Sequence, residues 1–183
     1  MGEPEEKLVE RAKEDPDAFG VLYETYVDKI YQYVFYRTGN RYDAEDLTAK
    51  TFYKALANLK RYRHRGLPFS AWLYRIAHNL VANWHRDRKR RAGVPLDGLA
   101  MMGKEGESAE AFVESSERSE VLKGAISRLP PDRQELLVLK YSTEMSNMEI
   151  GKVMGRSEGA IKALYHRTLT ALRKDLEGGG FEI

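Results

Sequence analysis

The segment Ser146 to Arg167, SNMEIGKVMGRSEGAIKALYHR, constrains this chain more than any other. Gly151 precedes Gly155 by one helical turn, and Ile161 and Leu164 follow at helical spacing. Two short helices that cross steeply need a small residue where their axes come closest. They need a glycine where the turn between them takes positive φ, and apolar side chains on the second helix that face back into the core. The segment supplies all three, which predicts a helix-turn-helix whose second helix is presented outward, as a DNA-reading helix is. Ser146 with Glu149 fits a capping box for the first helix, and Ser157 is a natural N-cap for the second. A plain helical hairpin closed by a glycine fits the same local pattern, so the rest of the chain must discriminate.

The rest of the chain excludes a good deal. At 183 residues it suits one large domain or two small ones. It has no cysteine, which rules out disulfides, thiolate zinc sites and cysteine nucleophiles. No apolar run approaches the ~20 residues a bilayer span requires, so no membrane insertion is expected. The N-terminus, MGEPEEKLVERAKEDPD, has no apolar signal core, and a cytoplasmic location is expected.

The net charge of +2 conceals a strong segregation. Between Lys60 and Arg91, Lys60, Arg61, Arg63, Arg65, Arg75, Arg86, Arg88, Lys89, Arg90 and Arg91 face a single acid, Asp87. Between Asp97 and Glu120 the balance reverses, with only Lys104 and Arg118 against a run of acids. Beyond Val121 bases again predominate. Two basic blocks on an acidic tether suggest two polyanion-binding modules.

Apolar periodicity is helical throughout, and no strand-period segment or internal repeat is found. A helix is expected from Asp15-Pro16-Asp17 to Gly39-Asn40, and a second from near Asp43, with Leu47, Phe52, Ala55, Leu56 and Leu59 turned inward. Arg61 to Pro68 reads as a loop. A long helix follows from near Phe69, burying Phe69, Trp72, Leu73, Ile76, Ala77, Leu80, Val81 and Trp84. Further helices are expected at Val121–Leu129, Pro131–Tyr141, Ser146–Met154 and from Ser157 to about Leu176. The expected fold is all-α: two small helical domains, 1–92 and 121–183, joined by a flexible acidic linker, 93–120, with the helix-turn-helix in the second domain.

The loop and the long helix interleave arginines with Tyr62, His64, Phe69, Trp72, Tyr74, Trp84 and His85. Basic charge tracks phosphates, and aromatic faces stack bases without regard to sequence. The spacing of Phe69, Trp72 and Trp84 equally suits a core. The polar face of the helix holds Arg75, His78, Asn79, Asn83 and Arg86, and asparagine amides can read base edges. His78 and His85 are expected to face solvent or DNA. On the last helix Glu158, Lys162 and His166 form a stripe opposite Ile161 and Leu164.

Nothing points to catalysis. There are no paired carboxylates beside a base, no metal-ligand cluster and no glycine-rich phosphate loop. Asp43, Glu45 and Asp46 cannot converge on one ion, because residues one and two apart on a helix do not share a face. No catalytic residue, metal site or cofactor is expected.

Four segments in order, DAEDLTAKTFYKAL (Asp43 to Leu56), FSAWLYRIAHNLVANWHRDRKRR (Phe69 to Arg91), LPPDRQELLVLKY (Leu129 to Tyr141) and the helix-turn-helix to Arg173, resemble a bacterial extracytoplasmic-function sigma factor, the minimal two-domain class of the sigma-70 family. The resemblance implies a first domain that docks on core RNA polymerase through the face around Asp43, Glu45, Asp46 and Leu47. It implies that this domain melts the downstream (minus ten) promoter element and traps a flipped base beside the Arg61 to Pro68 loop. Asn79 aligns with a base-contacting family position. Arg61, Arg63, Arg65, Arg75, Asn83, Arg86 and Arg88 would lie along that DNA. The helix from Ser157 would enter the major groove of the upstream (minus thirty-five) element, with Ser157, Glu158, Lys162, His166 and Arg167 facing DNA. An anti-sigma factor is a further implied partner. The chain departs from the family pattern at Ala49, usually glutamine, at Arg156, usually apolar, and at Ala163-Leu164, usually a small hydroxyl residue and an arginine.

The two promoter elements lie about 70 Å apart, and a linker of about 28 residues reaches at most ~90 Å. A DNA-binding regulator with one helix-turn-helix would not need the Asp43 to Arg91 block. An enzyme acting on nucleic acid would need a reactive site that the sequence does not supply.

Overall fold

The computed structural model describes residues 3–64, 66–92 and 117–178, and every regular element in them is helical. The α-helices are α1 (Glu5–Ala12), α2 (Pro16–Thr38), α3 (Arg41–Asn58), α4 (Phe69–Ala92), α5 (Glu117–Ser127), α6 (Pro131–Tyr141), α7 (Asn147–Met154) and α8 (Glu158–Gly178), with one 3-10 turn at Leu59–Arg61. Of the expected linker, 93–116 lie outside the described residues, and 117–120 open α5.

The helix ends follow from local chemistry. Asp15 accepts the Asp17 amide at 3.0 Å to start α2, and Gly39, at φ 63°, ends it. The Asn40 side chain accepts the Asp43 amide at 3.0 Å, so α3 opens at Arg41, slightly ahead of the expected start. In α4 the inward stripe is Phe69, Leu73, Ala77 and Val81, all buried, while Trp72, Ile76, Leu80 and Trp84 flank it half-buried. Leu56 departs from expectation and is 51% exposed. At about 100° per residue, Ala55 takes the inward position and turns Leu56 out.

The helix-turn-helix has the expected anatomy. The Ser146–Glu149 capping box is complete, and Gly155, at φ 68°, closes α7. A Cβ on Gly151 would stand 2.7 Å from the Arg156 carbonyl oxygen, so only glycine allows this approach. Arg156, the unusual residue of the turn, reaches back to pair with Asp132 on α6 at 3.0 Å. Gln134 donates its amide to the Ser127 and Leu129 carbonyls and locks the α5–α6 corner. Ala125, Leu129, Leu137 and Leu172 pin α5 to α8.

The two halves are packed together. α7 lies against α4, and Leu136, Leu139, Ile150, Val153, Ile161 and Leu164 belong to the same hydrophobic cluster as the α1–α4 core. Within this contact sits Glu135, 2% exposed. Its Oε1 accepts from the Tyr33 hydroxyl at 2.5 Å, lies 2.7 Å from His78 Nδ1 and meets the Arg37 guanidinium. Arg37 also donates to the Tyr33 hydroxyl at 2.8 Å. Both histidines therefore depart from the solvent-facing expectation. His78 is turned onto Glu135, and His85 Nε2 lies 3.0 Å from the Arg37 carbonyl oxygen.

Burial alone would raise the Glu135 carboxyl. The His78 hydrogen bond, the Arg37 charge and the Tyr33 hydroxyl outweigh it and hold the group below the ordinary carboxylate range. A depressed folded-state pKa stabilises above the unfolded value and is lost as pH falls through the folded one. The Glu135 contribution is therefore complete above about pH 4.3 and fades on further acidification. Glu135→Ala leaves Arg37 buried and unpaired, and should lower stability in urea denaturation by about 3–5 kcal/mol. Glu135→Gln should cost less and flatten the acid limb of the stability profile. A wild-type urea midpoint for Glu135→Ala would contradict this account.

Candidate nucleic-acid interface

Arg75, Asn79, Asn83 and Arg86 project from the exposed face of α4. Asn79 stands at the edge of a cavity of about 360 Å³ walled by Tyr62 and Trp72 and rimmed by Lys54, Asn58 and Arg61. A second cavity of about 400 Å³ shares the Tyr62–Trp72 wall and is bounded by Arg61, Arg63, Pro68 and Arg75. The two rings sit 4.8 Å apart, and both lean on the buried Phe69 at 5.5 and 5.4 Å. An aromatic partition with cations on both sides suits an unstacked base whose backbone follows the arginines. Lys54 and Asn58 were not legible as members, because they come from the end of α3 and meet Asn79 only in the fold. Tyr74 takes no part. It is 2% exposed and meets Tyr33 edge-on at 5.3 Å.

Other sequence-derived candidates fall elsewhere. Arg65 lies outside the described residues. Asn83 and Arg88 line a separate α3–α4 groove with Asp43, Asp46 and Trp84. There Trp84 Nε1 donates to Asp43 at 3.1 Å, and the Arg88 guanidinium lies over the indole at 5.1 Å. Glu45 pairs with Arg41 at 2.8 Å and Asp46 with Lys50 at 2.6 Å, all on the surface. Leu47 is 4% exposed because it falls on the inward stripe of α3. The outward face instead carries Tyr42, Tyr53 and Leu56, at 80%, 75% and 51% exposure. Three large side chains are thus left open on one face of one helix. Their helical spacing was the signal available for finding that face.

On α8, Ser157 spends its hydroxyl on the Ala160 amide at 3.2 Å. Glu158 and Lys162 pair at 2.7 Å, and His166 and Arg167 are exposed, while Ile161 and Leu164 are buried. None of the α8 candidates lines the cavity beside Asn79. Among the described residues, no three His, Asp or Glu side chains are grouped to hold a metal ion, and no helix is long and apolar enough to cross a membrane.

A Sigma-70 region 2 family model matches residues 22–91, and a Sigma-70 region 4 model matches 119–172. The ECF RNA polymerase sigma factor BldN of Streptomyces coelicolor is 38% identical over 92% of this chain, which spans 64% of BldN's length. The ECF RNA polymerase sigma factor SigW of Bacillus subtilis is 37% identical over 90% of this chain and 91% of its own. Among solved structures, CnrH in complex with the cytosolic domain of CnrY superposes with a TM-score of 0.68 at 21% identity, covering 95% of this chain and 97% of CnrH. The sigma factor RpoE bound to the anti-sigma factor NepR, from Bartonella quintana, gives 0.67 at 22% identity, covering 87% and 96%. These two structural likenesses concern the fold.

The exposed arginines make a direct prediction. Arg61→Ala should weaken binding of single-stranded DNA and reduce the slope of log affinity against log salt by about one unit. An unchanged slope in a fluorescence-anisotropy titration would remove Arg61 from the interface.

Proposed function

The chain belongs to the extracytoplasmic-function sigma factors of the sigma-70 family, and on that footing we propose that it binds core RNA polymerase and directs initiation at specific promoters. Residues 1–92 bind polymerase and melt the downstream element, 93–120 serve as the linker, and 121–183 read the upstream element. The polymerase-facing surface is the outward side of α3. Tyr42, Tyr53 and Leu56 supply its apolar centre, Asp43, Glu45 and Asp46 its charge, and Leu47 supports it from behind. The cavity beside Asn79 receives a base flipped out of the downstream element. Arg61, Arg63, Arg65 and Arg75 hold the backbone around it, and Asn83, Arg86 and Arg88 hold the backbone further along α4. Lys162, His166, Arg167 and Glu158 face the upstream element, with Ser157 capping their helix.

The protein acts without catalysis of its own, in the cytoplasm where polymerase works. RpoE was solved with an anti-sigma factor, and a protein inhibitor of that kind is a natural partner here.

The observation that carries the reading is the Tyr62–Trp72 partition beside Asn79, on a chain whose α8 also leaves Lys162, His166 and Arg167 exposed. The arrangement described is the unengaged one. α8 packs on α7, and α7 on α4, which separates the two DNA-facing surfaces by about two helix layers, ~20 Å. Promoter elements ~70 Å apart cannot both be reached until the halves separate. Engagement therefore opens the Glu135 contact. Run-off transcription with core polymerase on a promoter library tests the function, and folded protein that stimulates no template would overturn it. At a responsive promoter Asn79→Ala should cost ~1–3 kcal/mol at one downstream position and relax preference there. An unchanged base-preference profile would return Asn79 to ordinary solvated surface.

A further inference from the structure

α1 was not legible as a functional element, yet it touches both the start of α4 and the loop before it. The Glu5 carboxylate reaches across the domain and uses both oxygens. Oε1 accepts from the Tyr26 hydroxyl, and Oε2 accepts from the Phe69 amide at 3.4 Å, 64 residues away in sequence. That amide is the first of α4, a helix of 24 residues that follows directly on Leu67-Pro68. A helix start needs acceptors for its free amides, and neither Leu67 nor Pro68 has a side chain that can accept. Glu5 fills the role from another helix, and its negative charge suits the positive end of the α4 dipole. One residue on, Glu6 pairs with His64 at 2.8 Å. A single turn of α1 thus grips the loop at His64 and the helix start at Phe69.

Phe69 is the ring on which Tyr62 and Trp72 both lean. Burial, then the Glu5 hydrogen bond, push the Tyr26 hydroxyl well above its ordinary range, so it stays a donor at every physiological pH.

We propose that Glu5 is a positioning residue for base capture: by fixing the Phe69 amide it holds the Tyr62–Trp72 wall in its receiving geometry before DNA arrives. The proposal rests on the reading of that cavity as the base site. Its physical content is preorganisation. A loop already held in its bound shape loses less conformational freedom on binding than a mobile one.

The test uses the full chain. Binding is measured by anisotropy to a short mixed-sequence single-stranded DNA and to a duplex of the same sequence, and assembly with core polymerase is measured alongside. Glu5→Ala removes both acceptors. It should weaken single-strand binding about tenfold, the equivalent of one or two hydrogen bonds, and leave duplex binding and polymerase assembly as they are. Glu5→Gln keeps a carbonyl oxygen for Phe69 and an amide that can meet the Tyr26 oxygen, so it should restore most of the single-strand affinity. Equal losses for single strand, duplex and polymerase would mark Glu5 as a stability residue only and overturn the proposal. So would unchanged single-strand binding.

Arg61→Ala with Asn79→Ala separates the two levels. If the pair weakens single-strand binding and Glu5→Ala does not, the positioning role is wrong. If the pair has no effect either, the cavity reading and the proposal fall together. Should Glu5→Ala not fold, Glu5→Asp, which draws the carboxylate back by one methylene from the Phe69 amide, serves instead. It should weaken single-strand binding alone, and a wild-type result would contradict the proposal.

Discussion

The arrangement of this protein depends on one buried carboxylate. Glu135 comes from α6, and its partners come from the opposite half, Tyr33 and Arg37 on α2 and His78 on α4. An ionised carboxylate in an apolar contact is tolerated only when charge and hydrogen bonds compensate its lost hydration. Here a guanidinium, a hydroxyl and an imidazole converge on one oxygen. The apolar residues around them give the contact area, and the polar cluster makes it specific, because a shifted docking of α7 on α4 would strand Glu135 and Arg37 without partners. The same reasoning makes the contact reversible. Once the halves part, each of these groups can be rehydrated.

The closed arrangement also bears on the downstream site. Arg75, on the exposed face of α4, donates to the Lys152 carbonyl of α7, and Lys152 lines the second of the two cavities beside Trp72. A cation proposed for promoter phosphates is thereby occupied by the other half of the molecule. Asn79 and the first cavity remain open. Opening would free Arg75 and extend the interface along α4.

Much of the fold was legible because it is local. Gly151, Gly155 and the Ser146–Glu149 pair specify the helix-turn-helix through contacts within a few residues, and the α4 register follows from spacing alone. What escaped depends on partners distant in sequence. Glu135 meets Tyr33 across 102 residues and His78 across 57, so it reads in sequence as one acid among many and His78 as a surface histidine. α1 is eight residues long, too short for periodicity to declare it, and its value lies in Glu5 reaching Phe69. In the candidate site, Asn79 and Arg61 were legible from motif and charge, whereas Lys54 and Asn58 joined them only through the packing of α3 on α4. On the α3 surface the acids drew attention, but the exposed Tyr42, Tyr53 and Leu56 carry the apolar area.

The most direct test is whether the halves are closed before polymerase binds and apart when promoter is engaged. The chain has no cysteine, so Glu24→Cys and Lys174→Cys, both on exposed positions outside the proposed surfaces, allow a donor and an acceptor dye to be placed one on each half. Energy transfer should be high in the free protein, lower in free Glu135→Ala, and lowest in the complex with core polymerase and promoter DNA. Transfer that stays high in a transcribing complex would contradict the account.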